Sequence, residues 1–338
     1  MVEQTSKIQI AVDAMGGDFA PEQIVLGALQ AGKDLNVGIT LVGKKAEIEN
    51  AILKANISEI TANIVEASEV ISDQEQPAIA VMKKRDSSLA VATRLVKEQK
   101  VQAMVSAGPT GAIMVAGLQY LGGLPGVERP TIGGPFLGLA PKTVVLDLGA
   151  NVGCQPYQLV NFAVIGVAYA RTFLKIENPT VGLLNVGAEE GKGDKLAKEA
   201  FVLLKKSGLN FIGNVEGHDI VRGKVNVVVC DGFTGNVLVK YSEGLGRALS
   251  YWLEQNLKDK LTEVDAQKVC GKLYELLSPS EAMGGGPLLG INGVVCKAHG
   301  ASKAPQIAGT ILQAKTAIES GFIQVLHDGL KKVQGNAG

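Results

Sequence analysis

Polar residues that can bind an oxyanion follow several apolar runs of this sequence. In the clearest case, the β-branched run Val227–Val229 leads to Asp231, a glycine-rich turn and a helix-like segment. A strand that passes through such a turn into a helix aims backbone N–H groups and the positive end of the helix dipole at the turn. The pattern therefore predicts an anion site at the start of this helix.

The same arrangement recurs after the runs IAVD, MVS, VVLD and VGLL, and in a looser form after FIG. Because open α/β sheets bind ligands at the carboxyl ends of their strands, we expect these loops to line one crevice. Lys192 lies between two glycines, which favours contact with an anion, and His299 follows the last strand. His299 and the loop aspartates could instead be helix caps without a role in the site, and the sequence leaves this alternative open.

The side chains and glycines of these loops suit a phosphate group or the tetrahedral intermediate of acyl transfer. The candidate site residues are Asp13, Gly16, Gly17, Asp18, Ser106, Gly108, Thr110, Asn151, Asn185, Lys192, Glu216, Asp231, Gly232, Thr234, Gly235, Asn236, His299 and Ser302.

Several familiar motifs are missing from the sequence. It contains neither the GxxxxGK[ST] of a P-loop nor the GxSxG of a serine nucleophile, and DAMGGD departs from the GxGxxG order of dinucleotide-binding loops. Cysteine and histidine do not occur at zinc-binding spacings. The residues therefore favour group transfer with no covalent enzyme intermediate, no cofactor and no metal.

The composition argues against a nucleic-acid-binding protein and predicts a cytoplasmic one. The 338 residues include 33 basic and 33 acidic side chains, and 4% are aromatic, so neither a basic surface nor base-stacking platforms are expected. The four scattered cysteines favour reduced thiols. The polar start of the chain predicts no signal peptide, and no apolar run reaches the ~20 residues of a spanning helix.

Alternating strands and helices predict an α/β fold with three α/β/α layers and a mostly parallel sheet, in one two-lobed enzyme domain over 1–338. The Gly- and Pro-rich segment 122–138 is expected to connect the lobes. Strands are expected at 8–12, 38–42, 62–65, 103–106, 143–148, 181–184, 210–213, 225–229 and 294–297. Helices are expected at 21–29, 47–54, 78–99, 112–121, 160–174, 196–206 and 305–330, and a glycine loop at 284–290.

Two further helices are predicted to form a protruding hairpin at 244–279. Leu245, Leu249, Trp252, Leu253, Leu257 and Leu261 recur at helical spacing as one apolar stripe. The stripe suits packing on a partner subunit or contact with lipid, and the sequence leaves both open.

Eight segments, spread along most of the chain, match the pattern of a known family. They are VDAMGGDFAP (12–21), VSAGPTGA (105–112), ERP (128–130), LDLGAN (146–151), GLLNVGAEEGKG (182–193), GNVEGHD (213–219), VVVCDGFTGNVLVK (227–240) and PLLGINGVV..AHGAS (287–302). In these segments and their order the chain resembles the phosphate acyltransferases of bacterial phospholipid synthesis, the PlsX family.

The resemblance implies that inorganic phosphate attacks the thioester of a long-chain acyl group on acyl carrier protein, giving acyl phosphate. A membrane acyltransferase then uses the acyl phosphate to acylate glycerol 3-phosphate. The catalytic residues are expected to be Lys192, Asn185, His299 and Asp231, and the other candidates are expected to bind phosphate or the acyl group.

The resemblance also implies a fold similar to phosphotransacetylases and to isocitrate and isopropylmalate dehydrogenases. It implies a cytoplasmic homodimer without cofactor, loosely associated with the membrane and in transient contact with the membrane acyltransferase.

Two positions depart from the family pattern and put their side-chain roles in question. Pro109 stands where the family usually has Asn, and Gly153 stands where it usually has an acidic residue. Three other classes compete with this assignment. A metal- and NAD-dependent dehydrogenase is disfavoured because no run of Asp ligands on a helix stands out, and a non-catalytic binding scaffold is disfavoured by the number of polar loops. A phosphotransacetylase that uses acyl-coenzyme A is excluded only by the resemblance.

Overall fold

The computed structural model describes residues 7–57, 62–135, 137–257, 261–277 and 284–336. The chain divides into two compact units, which comprise Met1–Leu124 with Met283–Ile323, and Pro125–Ala282 with Gln324–Gly338. The chain first passes from one unit to the other after Leu124, inside the segment 122–138.

The strands are β1 (Gln9–Asp13), β2 (Gly38–Gly43), β3 (Asn63–Glu66), β4 (Ala103–Ser106), β5 (Gly133–Gly134), β6 (Val144–Leu146), β7 (Val181–Leu184), β8 (Phe211–Val215), β9 (Val227–Val229), β10 (Gly285–Pro287) and β11 (Val294–Ala298). The helices are α1 (Glu22–Asp34), α2 (Lys45–Ala55), α3 (Pro77–Lys83), α4 (Ser88–Lys97), α5 (Thr110–Leu121), α6 (Pro156–Phe173), α7 (Lys195–Lys206), α8 (Gly217–Val221), α9 (Gly232–Leu257), α10 (Glu263–Leu277), α11 (Ala304–Glu319) and α12 (Phe322–Asn336).

The first unit is built on a sheet in the order β10-β11-β4-β1-β2-β3, parallel except for β10. Helices α1, α2 and α11 form one layer, and α3, α4 and α5 form the other. Ile10, Leu41 and Met104 on three neighbouring strands are fully buried, because helices cover both faces of the sheet.

The second unit is built on a sheet in the order β5-β6-β9-β7-β8, parallel except for β5. Helices α6 and α7 cover one face. On the other face Val145, Val228 and Ile220 form a core cluster, against which Leu238 of α9 and Leu273 of α10 pack. Both units thus have the predicted α/β/α layers and mostly parallel strands, although the strands form two sheets.

Helices α9 and α10 pack against each other in antiparallel directions. The Ser250 hydroxyl donates to the Cys270 carbonyl at 3.1 Å, and Gly246 lies against Leu277 and Tyr274. The predicted apolar stripe divides in the structure, because Leu245, Leu253 and Leu257 are half-buried whereas Leu249, Trp252 and Leu261 are exposed. Residues 258–260 and 278–279 of the predicted hairpin lie outside the described residues.

A second apolar surface on α9 was not predicted. The side chains of Phe233, Val237, Tyr241, Tyr251 and Trp252 are all more than half exposed. At 100° per residue they share one side of the helix, opposite the side that contacts α10. We call these five residues the outer face of α9.

Several predicted boundaries are wrong for local reasons. The helix expected over 78–99 is two helices, because Ser87 caps α4 by accepting a hydrogen bond from the Ala90 N–H at 3.4 Å. The helix expected over 305–330 is also two, since Gly321 adopts φ +62° between α11 and α12. The glycine loop expected at 284–290 contains β10.

Two short elements, β5 and α8, were not predicted, and α9 starts earlier than expected. It begins at Gly232, so Thr234, Gly235 and Asn236 lie in its first turns rather than in a preceding loop. Among the described residues, no helix combines the length and the apolar character needed to cross a bilayer.

We expect Gly235→Ala to destabilise the protein by about 1–3 kcal/mol, the usual cost of overpacking. A Cβ at Gly235 would overlap the backbone carbonyl oxygen of Asp147, which would force α9 away from the loop after β6. The measurement is the free energy of unfolding from urea denaturation.

Gly271→Ala is the matched control, because a Cβ at this exposed position of α10 meets no neighbouring atom. We expect it to stabilise the protein by about 0.5–1 kcal/mol through helix propensity. Equal unfolding free energies for the two variants would contradict the close approach at Gly235.

Candidate functional site

The predicted site residues divide between the two units. Those of the first unit are Asp13, Gly16, Gly17, Asp18, Ser106, Gly108, Thr110, His299 and Ser302; those of the second are Asn151, Asn185, Lys192, Glu216, Asp231, Gly232, Thr234, Gly235 and Asn236. In each unit most of them follow the carboxyl ends of parallel strands, as the sequence predicted. Their assembly into one crevice stays a prediction.

Asp13 joins two loops of the first unit. It lies at the end of β1 and is 2% exposed, and its Oδ2 accepts a hydrogen bond from the Ser106 hydroxyl at 2.6 Å. The Ser106 oxygen in turn accepts from the Gly108 N–H at 3.0 Å. Gly16 lies so close that a Cβ there would meet both Asp13 and Gly108. Asp13 therefore builds the loops after β1 and β4 and does not cap a helix.

Burial raises the pKa of the Asp13 carboxyl, although hydrogen bonds from hydroxyl and backbone groups act in the opposite direction. Burial thus disfavours the charged form of Asp13, and the hydrogen bonds offset part of this cost.

The remaining loop residues of the first unit differ in accessibility. Asp18 is exposed, and its backbone N–H donates to the Gly300 carbonyl at 2.8 Å. Gly17 adopts φ +103° at this contact, a conformation that favours glycine. Ser302 is buried and donates to the Gly284 carbonyl at 3.4 Å, whereas His299 is half-buried. Thr110 is the first residue of α5.

In the second unit Asp147 organises the loop after β6. Its fully buried carboxylate accepts hydrogen bonds from the backbone N–H groups of Gly149 and Ala150, each at 2.9 Å. It also accepts from Asn151 Nδ2 at 2.7 Å, and the same amide donates to the Pro130 carbonyl at 2.8 Å. Asp147 belongs to the segment LDLGAN (146–151) that matches the family pattern, but it was not predicted as a site residue.

The prediction of free N–H groups at the start of α9 is wrong. The Gly232 N–H donates to the Asn151 carbonyl at 2.9 Å, and Asp231 Oδ1 accepts from the N–H groups of Phe233 (2.9 Å) and Thr234 (3.1 Å). The Gly235 N–H donates to the Asp231 carbonyl at 3.0 Å. Asp231 is therefore the helix cap, the alternative that the sequence left open.

The loop that carries Lys192 is fixed at two points. Asn185 Nδ2 donates to the Lys192 carbonyl at 3.1 Å, and Asn214 Nδ2 donates to the Glu189 carbonyl at 2.7 Å. Asn214 is buried on β8 and was not predicted; its contact joins residues 25 positions apart, a separation that local patterns do not reveal.

The exposed side chains at this sheet edge that make no hydrogen bond or ion pair within the described part of the chain include the Lys192 ammonium, the Glu189 carboxylate of the same loop and the Asn236 amide. Lys192 belongs to the loop after β7, and Asn236 to the first turns of the helix after β9. Because β7 and β9 are adjacent in the sheet, a cation and an amide are offered to solvent at neighbouring strand ends.

A half-open cleft of about 290 Å³ lies at the same edge. Its lining includes Leu159 of α6, Leu183 of β7 and Leu196 of α7, with Asn185, Asp231 and Thr234 at its polar side. The cysteines nearby are poor nucleophiles, since burial raises the pKa of both Cys154 and Cys230 and a protonated thiol is unreactive.

Glu216 has a structural role, because it caps the short helix α8. Glu216, His218 and Asp219 present ligand-type atoms within 4.8 Å of one another. However, the Lys224 ammonium bonds Asp219 at 2.8 Å and supplies the positive charge that this carboxylate needs.

We expect Asp13→Asn to change how stability depends on pH. A raised pKa in the folded state means that Asp13 stabilises the fold below its ordinary pKa of 3.8, and that this stability is lost as pH rises through the folded-state pKa. The unfolding free energy of the wild type, minus that of Asp13→Asn, should therefore fall as pH rises above 3.8, by about 1.4 kcal/mol per unit of pKa difference.

Urea denaturation of both proteins at a series of pH values measures this difference. The amide also changes the hydrogen bonds, but that offset is the same at every pH and leaves the slope unaffected. Parallel curves for the two proteins would show that the Asp13 pKa is not raised.

The sequence matches a family model described as fatty acid synthesis protein over residues 8–325. The chain is 42% identical over 332 residues to a phosphate acyltransferase of Dictyoglomus turgidum, covering 96% of this chain and 98% of that protein. It is 44% identical over 335 residues to a phosphate acyltransferase of Brevibacillus brevis, with the same coverage. The resemblance drawn from the sequence motifs is confirmed.

Solved structures of similar fold include a phosphotransacetylase from Streptococcus pyogenes, with a TM-score of 0.65 and 19% identity, covering 94% of this chain and 95% of that chain. Another is the EutD phosphotransacetylase from Staphylococcus aureus, with a TM-score of 0.62 and 16% identity, covering 93% and 94%. The predicted phosphotransacetylase-like fold is confirmed.

Proposed function

Because this chain belongs to the fatty acid synthesis protein family that includes the phosphate acyltransferases, we propose that it transfers a long-chain acyl group from acyl carrier protein to inorganic phosphate. The product is acyl phosphate, which a membrane acyltransferase consumes to acylate glycerol 3-phosphate. No cofactor takes part in the proposed reaction.

The proposed reaction is a direct displacement at the thioester carbonyl. A phosphate oxygen forms a bond to the carbonyl carbon, the bond between carbon and sulfur breaks, and the proton of the hydrogen phosphate dianion ends on the leaving thiolate. Atoms and charge therefore balance without a general base. The protonated state of Cys154 and Cys230 supports a route without a cysteine acyl-enzyme.

The observation that carries this proposal is the pair of unpartnered polar side chains, Lys192 and Asn236, at neighbouring strand ends. A loop held rigid by Asn185 and Asn214 presents the ammonium to solvent. The anchored backbone limits where the ammonium can reach, and donors placed in this way stabilise an oxyanion. We assign phosphate binding to Lys192 and stabilisation of the developing oxyanion to Asn236.

The other predicted residues receive more indirect roles. Asp231 and Asn185 position α9 and the Lys192 loop, because their side-chain oxygens or amides bond the protein itself. For the first unit we propose substrate binding through Asp18, Thr110 and His299, which are exposed or half-buried. Asp13, Ser106 and Ser302 shape those loops.

A homodimer is part of the proposal. The outer face of α9 is apolar and exposed over most of the helix, from Phe233 to Trp252. Apolar surface on this scale marks an interaction site in soluble proteins, and a second copy can bury it by self-complementary packing.

We place the protein in the cytoplasm, with peripheral contact to the membrane surface where the acyl phosphate is used. Leu249 and Leu261 are exposed and lie outside the outer face, which supports such contact. Transient association with the membrane acyltransferase would deliver the acyl phosphate directly.

The decisive measurement is thiol release from palmitoyl-acyl carrier protein, with and without inorganic phosphate, and with palmitoyl-coenzyme A in parallel. We expect phosphate-dependent release from the carrier protein alone.

We also expect Lys192→Ala to lower kcat/KM for phosphate by about 10- to 150-fold, the value of a hydrogen bond to a charged group.

Lys195→Ala is the matched control for Lys192→Ala, because Lys195 starts α7 and its side chain is 88% exposed. It should leave the kinetics unaltered. Release from coenzyme A alone would make the protein a phosphotransacetylase, and absence of release from both donors would reject acyl transfer. Equal kinetics for wild type and Lys192→Ala would remove Lys192 from the site.

The dimer proposal predicts that Val237→Glu with Tyr251→Glu gives a monomer in light scattering, since two charges would enter the buried interface. Leu53→Glu, on an exposed residue of α2 (79% exposed), should leave the dimer intact. A doubly substituted protein that remains dimeric would exclude the outer face as the contact. Flotation of the same proteins with anionic vesicles tests whether this surface also binds lipid.

A further inference from the structure

The cleft of the second unit has an apolar interior at the edge of the sheet. Its buried floor is formed by Leu159, Leu183 and Cys230. Leu196 and Ala197 from the first turn of α7 also line it. Val186, which is 81% exposed, lies in the lining as well and offers an apolar surface to solvent.

The polar groups that border the cleft are already bound within the protein. Asn185 bonds the Lys192 carbonyl and the Val186 N–H, and Asp194 caps α7 by accepting from the Ala197 N–H at 2.8 Å. Asp231 caps α9. The surface that is left for a ligand inside the cleft is therefore mainly apolar.

One loop combines two kinds of contact. Residues 185–193 carry the apolar Val186 in the cleft lining and the unpartnered Lys192 ammonium. A ligand that satisfies both has an anionic or oxyanionic head and an apolar tail. An acyl group that is being transferred to phosphate has this chemistry.

We propose that the cleft formed by Leu159, Leu183, Val186, Leu196 and Ala197 binds the carboxyl-proximal part of the acyl chain. This assignment rests on the proposed acyl transfer and names the apolar half of that site. The cleft, with a volume of about 290 Å³, has room for a segment of an alkyl chain but not for the whole of a long one. The remainder of a longer chain would extend past Val186 into solvent or onto a partner.

The test compares palmitoyl and octanoyl donors in variants that narrow the cleft. Leu196→Trp should lower kcat/KM for palmitoyl-acyl carrier protein at least about tenfold more than for the octanoyl donor, because each buried methylene contributes about fourfold in binding. Val186→Trp, at an exposed position that tolerates a large side chain, should also lower kcat/KM for the palmitoyl donor more than for the octanoyl donor. Val202→Trp is the control, because Val202 is an exposed residue of α7 (47% exposed) outside the cleft.

A ratio that stays at the wild-type value in both Leu196→Trp and Val186→Trp would overturn the assignment. So would an equal shift in Val202→Trp, which would indicate a general effect of the bulky residue on α7.

Calorimetry with alkylphosphonates of increasing length, as stable analogues of acyl phosphate, separates this inference from the proposed function. Wild-type affinity should rise with each added methylene and level off once the cleft is filled, and Leu196→Trp should level off at a shorter chain. This result supports the cleft even if no donor is turned over. The same length dependence in wild type and Leu196→Trp would exclude the cleft as the chain site, whatever the activity.

Discussion

The sheet edge of the second unit depends on the hydrogen bonds that the buried carboxylate of Asp147 accepts. The carboxylate accepts two backbone N–H groups of the loop after β6 and the amide of Asn151. Asn151 extends the network through the Pro130 carbonyl and, by its own carbonyl, to the Gly232 N–H. One buried carboxyl group thus ties three chain segments together, because leaving any of these polar groups unpaired in the interior would be costly. The first unit uses Asp13 in the same way between its own loops.

The polar residues of the strand-end loops consequently divide into two kinds. Most, such as Asp231 and Asn185, bond the protein and fix the backbone. Lys192 and Asn236 remain directed to solvent without partners among the described residues. This division preorganises the backbone that carries the two groups, which lowers the reorganisation needed to bind an oxyanion.

The sequence predicted the elements better than it predicted what each side chain does. Strands at 103–106 and 181–184 have the predicted bounds, because buried parallel strands are continuous apolar runs. The roles of loop carboxylates were ambiguous, since an Asp after a strand suits both a helix cap and a ligand. Asp231 proved to be a cap only when its distances to Phe233 and Thr234 were known.

The other features that the sequence did not predict depend on tertiary contacts. The link from Asn214 to Glu189 spans separate elements, and the close approach of Gly235 to the Asp147 carbonyl depends on how α9 packs. The outer face of α9 was not predicted because the sequence pattern places Phe233 in a turn. Once α9 is known to begin at Gly232, the helical spacing of Phe233, Val237 and Tyr241 follows directly.

An apolar cleft and a fixed cation contribute to different parts of the proposed catalysis. The acyl chain makes the same contacts before and during the attack of phosphate, so its burial lowers the free energies of bound substrate and transition state equally. Charge develops on the carbonyl oxygen only as the bond to phosphate forms, so a donor at that oxygen, the role proposed for the Asn236 amide, acts selectively on the transition state. The loop 185–193 supplies apolar contact through Val186 and charge through Lys192. In the proposed reaction its two anchors, Asn185 and Asn214, would therefore set the position of both chain and phosphate. The separation of these contacts along one loop would fix where the reacting carbonyl lies.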